Sequence, residues 1–148
     1  MSIEKNVLYN ATRIYLGIVA FFFLMKFLNL EQITELRILN FLIVFWGINV
    51  AIKNNATRNF NSTYLHNLFI GFFTSFIAVV LTSVSLNVYL FYIDPSFITV
   101  LEGSTLWGAS LTPPLMSVAL LIEGLASSII CSFIVMQYWK NKSIAIDM

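Results

Sequence analysis

The chain has 148 residues, 59% of them hydrophobic and only 10% charged, and its mean hydropathy is +0.85; a water-soluble domain carries about 25% charged residues, so a water-solvated surface is excluded and a bilayer is the solvent that removes the need for charge. A net charge of +1, with basic residues that never stand side by side, excludes the electrostatic footprint of a nucleic-acid-binding protein. The single cysteine, Cys131, excludes an intramolecular disulfide and a thiolate metal cluster, and inside an apolar run it reads as a space-filling thiol.

In chain order, the first apolar run covers 14–30 and is broken only by Lys26. Lys5 and Arg13 before it are compatible with a signal-peptide n-region. However, Phe21-Phe22-Phe23-Leu24-Met25-Lys26 lacks a small-residue cleavage pattern, so the segment is expected to stay as a first membrane helix over about 9–30. Lys26 lies near its outer end, where the stem can rest in hydrocarbon while the ammonium reaches the headgroups. A polar break at 31–35 leads to a second helix over about 36–54. An asparagine-rich loop without hydrophobic periodicity follows it.

The third and fourth membrane helices are expected over about 64–93 and 111–140. Their apolar runs, 65–93 and 111–139, each have 29 positions, roughly 43 Å at 1.5 Å per residue against a hydrocarbon core of about 30 Å. Tilt rarely absorbs that excess, so their outer ends are expected to stand clear of the membrane. Tyr89, Tyr92 and Trp107 on one side, and Tyr138 and Trp139 on the other, suit interfacial belts. Between these helices Asp94-Pro95 forms a start signal, an N-cap followed by proline at the first helical position. Phe97, Ile98 and Leu101 share one face and Gly103 ends the turn, which predicts a short amphipathic helix at the outer interface. The expected fold is therefore all-α: one polytopic domain over 1–148, with four transmembrane helices in an antiparallel bundle and a short interfacial helix between the third and fourth.

Four spans put the N-terminus, the middle loop and the C-terminus on one side. That side carries Lys5, Arg13, Lys53, Arg58, Lys140 and Lys142, against Lys26 and Arg37 on the other. The asymmetry predicts cytoplasmic termini. The glycosylation sequons at Asn10, Asn55 and Asn61 then fall on the cytoplasmic side and read as accidents of an asparagine-rich chain.

Glu123, near the middle of the fourth run, is the most informative residue. A carboxylate there costs several kcal/mol, of the order of 2.5–3.5 at a helix centre, unless it is protonated, hydrated or paired. Two readings stand side by side: a hydrogen-bonded acid that locks helices together, and a proton- or cation-handling site. Depth counting puts Asn49 and Thr82 level with it, as its expected hydrogen-bond partners; Lys26 lies a turn or two nearer the surface. Gly124, Ser128 and Ser132 form a small-residue stripe, and Thr74, Ala78 and Thr82 form another, so the third and fourth helices are expected to pack along these faces. His66, the only histidine, has no further ligands placed around it, so no metal site and no cofactor is expected. Phosphate-loop, GxSxG and HExxH signatures are absent.

The segments Gly47-Ile48-Asn49-Val50-Ala51-Ile52-Lys53, Tyr92-Ile93-Asp94-Pro95-Ser96-Phe97 and Glu123-Gly124 together resemble a family of small membrane proteins of the Bacteroidota, domain of unknown function forty-one ninety-nine. The resemblance runs from about residue 14 to 142, and the asparagines before the third helix depart from the glycine-rich entry of the family. It implies a bacterial inner membrane and brings no activity with it. Three functions are open: a non-enzymatic accessory or scaffold subunit of a membrane assembly, an oligomeric transporter or channel using Glu123, and an intramembrane enzyme. The last lacks a base beside a nucleophile, and the first is preferred because a polar path is missing. The expected surroundings are the lipid bilayer, further copies of the chain or other membrane subunits, and no nucleic acid.

Overall fold

The computed structural model describes residues 2–30, 36, 38–57, 63–102 and 112–146, with side chains through residue 140. Five helices succeed one another: α1 (Ile3–Phe27), α2 (Ile38–Ala56), α3 (Tyr64–Tyr92), α4 (Phe97–Glu102) and α5 (Pro113–Ile146). All but α4 are long and apolar enough to cross a membrane, and no strand occurs among the described residues. The chain is a multi-pass, all-helical membrane protein.

The helix ends have local causes. α1 starts six residues earlier than the apolar pattern predicts, because Ser2 caps it by accepting from the Lys5 backbone N–H at 3.4 Å and Glu4 complements the first turn. It stops at Phe27 because Asn29 takes a positive φ of 53°. The Leu30 N–H then bonds to the Met25 carbonyl and that of Asn29 to the Lys26 carbonyl, a Schellman closure with asparagine in the left-handed position. α4 begins at Phe97 rather than at Pro95, with the Phe97 N–H on the Asp94 carbonyl at 3.3 Å. The amphipathic face expected of it is turned into the protein: Phe97 and Leu101 are buried, with Ile98 packed alongside.

α3 touches α1, α2 and α5, and α2 also touches α1 and α5, so α1 and α5 stand at opposite corners of the bundle. Glycines set the closest approaches. A Cβ at Gly47 would stand 2.2 Å from Cγ1 and 2.6 Å from Cδ1 of Ile14, which is fully buried. One at Gly71 would meet Ile52 and Ile48, at 2.8 and 3.1 Å, and one at Gly124 would meet Val79 at 2.6 Å. Of the two small-residue stripes, Thr74, Ala78 and Ser128 are 0% exposed and Ser132 is 1%. Thr82 is the exception, since it is only half-buried and turns to a cavity described below. Cys131 is buried in the core with Ala78, Ile48, Ile52 and Val135, as an apolar filler.

Helix length organises the rest. α2 has 19 residues, α1 25, α3 29 and α5 34. With Gly71 lying between Ile48 and Ile52, the start of α2 is level with about Ser83, and α3 runs on for roughly 14 Å to Tyr92. At that end α4 folds over the bundle. Tyr89, Leu90, Phe97, Leu101 and Met116 make a second apolar cluster there, separate from the main core. Tyr89, expected in an interfacial belt, is 7% exposed within it.

Gly47→Ala is expected to destabilise the bundle by about 1–3 kcal/mol, because the new methyl meets a packed isoleucine; in an Ile14→Ala background the same change should cost much less. Denaturant titration in mixed micelles measures both.

Candidate functional site

Three groups of polar residues stand out. The first closes the end of the bundle opposite α4. Asn6 donates from Nδ2 to the Ala51 carbonyl at 2.9 Å, Asn10 donates to the Asn6 carbonyl and to its Oδ1 at 2.8 and 2.9 Å, and Asn54 reaches the same Oδ1 at 3.4 Å. Asn55 donates to Asn67 at 2.7 Å, joining α2 to α3. Asn6, Asn10, Asn55 and Asn67 are buried, so Asn10 and Asn55 are structural; Asn61 lies outside the described residues. Asn49 belongs to this end too. Its Oδ1 accepts from Trp139 Nε1 at 2.8 Å, which corrects one expectation: Asn49 is not bonded to Glu123, and Trp139 is half-buried against the core. The depth count failed because α2 and α5 start at different heights, so equal counts from their ends do not mean equal depth.

The second group ties the other end. The Lys26 ammonium donates to the Tyr89 hydroxyl and to Asp94 Oδ2, the latter at 3.0 Å, and lies 4.9 Å from the centre of the Tyr89 ring. Asp94 also accepts at Oδ1 from the Ser96 hydroxyl at 2.5 Å. The predicted cap motif Asp94-Pro95 is therefore a tether from α1 to the α3–α4 joint. The Ser96 hydroxyl and then the Lys26 ammonium hold the Asp94 carboxyl below its ordinary value of 3.8. The rings of Phe22, Tyr89 and Phe97 pack edge to face beneath it, with centroids 5.2–5.9 Å apart.

Under this tether lies a cavity of about 350 Å³, bounded by α1, α3, α4, the start of α2 and Leu120 of α5. Its walls are mostly aromatic and aliphatic. The polar exceptions are Tyr15, Ser85, Thr82, Asn40 and Tyr89, whose hydroxyl accepts from Lys26. Tyr15 and Ser85 share a hydrogen bond of 2.7 Å between α1 and α3, and Thr82 donates to the Ala78 carbonyl of its own helix at 2.8 Å. Asn40 forms no hydrogen bond with the described residues, and its Oδ1 is fully buried. The sequence reading missed Asn40, Tyr15 and Ser85, because each stands alone in an apolar run with no spacing signal.

Glu123 stands apart from all three groups. It is half-buried on α5, forms no hydrogen bond or ion pair with the described residues, and is not in the cavity wall. Ile130 and Ile134, seven and eleven residues on and so on the same face of the helix, are 53% and 48% exposed. Its expected partners are engaged elsewhere, Asn49 with Trp139 and Thr82 with Ala78. Gly124, beside it, instead faces Val79 of α3. His66 is exposed, and no cluster of three potential metal ligands occurs among the described residues. Against known protein families, characterised proteins and solved structures, the chain gives no match.

Because the folded state holds Asp94 more acidic than the unfolded chain does, the tether's contribution is fully present above the ordinary carboxylate range and is lost as the pH falls through the lowered value. Asp94→Asn should lower the melting temperature at pH 7 and flatten its dependence on pH between about 5 and 2, as measured by thermal unfolding in detergent.

Proposed function

We propose that this protein is a non-enzymatic accessory or scaffold subunit of a bacterial inner-membrane assembly, and that it holds a partner helix through Glu123. One observation carries the reading: a carboxyl group ten residues, or about 15 Å, along α5 from Pro113 has no partner among the described residues and shares a helix face with half-exposed isoleucines. Such a group is costly in hydrocarbon until it is protonated or paired. A neighbouring subunit that brings a lysine, arginine or amide to that depth removes the cost and gains a strong, directional contact. The same reading takes the termini as cytoplasmic, on the strength of six Lys and Arg against two.

The alternative is an oligomeric transporter or channel for a small solute, proton or cation, with Glu123 as its site. It draws on the same residue but on less else. Thr74, Thr82 and Ser128, at the middle of the bundle, donate to carbonyls of their own helices, and no hydrogen bond links Glu123 to another polar group among the described residues.

The test is gentle extraction of the full chain from its source membrane, native mass spectrometry, and identification of co-purifying proteins for wild type and Glu123→Leu. A second membrane protein that accompanies wild type and is lost from a normally folded Glu123→Leu is the expected result. A homo-oligomer without foreign subunits overturns the proposal and directs attention to flux measurements in liposomes.

A further inference from the structure

The cavity under α4 has the features of a ligand site rather than a packing defect. Its volume of about 350 Å³ lies within the range of small-molecule sites, about 300–1,000 Å³. A buried amide without a partner is unusual, because leaving one unsatisfied costs about 1–3 kcal/mol. The Oδ1 of the half-buried Asn40 is such a group: it is buried without a hydrogen-bond partner among the described residues, and Asn40 stands in the wall of this cavity. Rotation about its χ2 turns either the donor or the acceptor end to the space.

The other polar groups define what the site would take. In the Tyr15–Ser85 pair one hydroxyl donates to the other, which leaves one O–H free to donate. Thr82 spends its proton on Ala78 and keeps lone pairs to accept. No described residue of the wall carries a charge. Lys26 and Asp94, beyond Tyr89, neutralise each other, so an anionic headgroup would have to break that pair to gain the ammonium. The complement is an apolar body against the aromatic rings, with an uncharged group that accepts or donates hydrogen bonds. We infer that the cavity binds a neutral amphiphile of the bilayer whose polar group is a hydroxyl or carbonyl, held by Asn40 and the Tyr15–Ser85 pair. The site is separate from Glu123 and does not depend on the partner reading.

The experiment uses the full chain in nanodiscs and two photoactivatable probes, a long-chain primary alcohol and a phosphatidylglycerol, each with a diazirine in its chain; labelled residues are mapped by mass spectrometry. The alcohol should label cavity residues of α1, α3 and α4 saturably, with competition by unlabelled alcohol, whereas phosphatidylglycerol should label only the lipid-facing surface. Labelling of the cavity should fall at least tenfold in Asn40→Leu, which keeps the volume and removes the amide, and in Val19→Phe, which fills space and keeps the amide. Size-exclusion and thermal unfolding establish that each variant is folded; if Asn40→Leu fails this check, Ser85→Ala replaces it, with a severalfold drop expected. Saturable cavity labelling by phosphatidylglycerol equal to that by the alcohol overturns the inference, as does undiminished alcohol labelling in the folded amide or hydroxyl variant.

Discussion

Hydrocarbon offers a polar side chain no alternative partner, and that constraint governs where this bundle keeps its hydrogen bonds. In water, an asparagine on a helix can turn outwards; inside a membrane it must find a carbonyl, a hydroxyl or another amide. The hydrogen-bonded polar side chains of the bundle obey it by one of two routes. Thr74, Thr82 and Ser128 donate back to the preceding turn of their own helix, which satisfies the hydroxyl without asking anything of a neighbour. Asn6, Asn49, Asn54 and Asn55, with Asn67 accepting, bond between helices at one end of the bundle, and Asn10 bonds to Asn6 within α1. Lys26, Tyr89 and Asp94 make the corresponding tie at the other end. The middle is held by close apolar packing over glycines and small residues, the means of helix association when lipid tails are as apolar as leucine.

This arrangement explains which parts could be read from the sequence. Apolar runs of membrane length report helices directly, since nothing else keeps backbone groups paired in lipid, and small residues four apart report close contact. Both expectations hold for α3 and α5. The start of α1 was hidden because the cap and the inward asparagines lie outside the apolar run, at Ser2, Asn6 and Asn10. Relative height was hidden more deeply. A sequence gives the length of each helix but not the offset between helices, and the offset decides neighbours. α2 begins deep in the bundle, so Asn49 meets Trp139 rather than Glu123, and Asn40 rather than Asn49 opens onto the space in the α4 half.

The same offset creates the cavity. Three helices continue past the start of α2, and the short helix α4 covers that end with Phe97 and Leu101 instead of a fourth long apolar helix. An aromatic cover suits this task. Rings at 5.2–5.9 Å in edge-to-face contact gain from orientation as well as from burial, and they close a roof without filling the volume beneath it. The Lys26–Asp94 tether then fixes the roof to α1, across the side of the cavity that α2 does not reach.

Against a background of satisfied groups, the exceptions carry information. Ser132 Oγ is buried without a partner, but packing accounts for it: a Cβ at Gly71 would stand 3.2 Å from that oxygen, and a bulkier residue at 132 would part α3 from α5. No such account serves Asn40 or Glu123. Leucine at either position would remove an unpaired polar group from an apolar setting, and single substitutions of that kind tend to stabilise a protein. Departures from local consistency that give up stability without a packing return are the positions where function is to be sought. The two differ in what surrounds them, and so in what they can recognise. Asn40 lies in a wall without charges and with hydroxyls nearby, which suits a neutral ligand within the bundle. Glu123 lies on a helix face beside exposed isoleucines and bonds to none of the described residues, which suits a partner from outside the bundle.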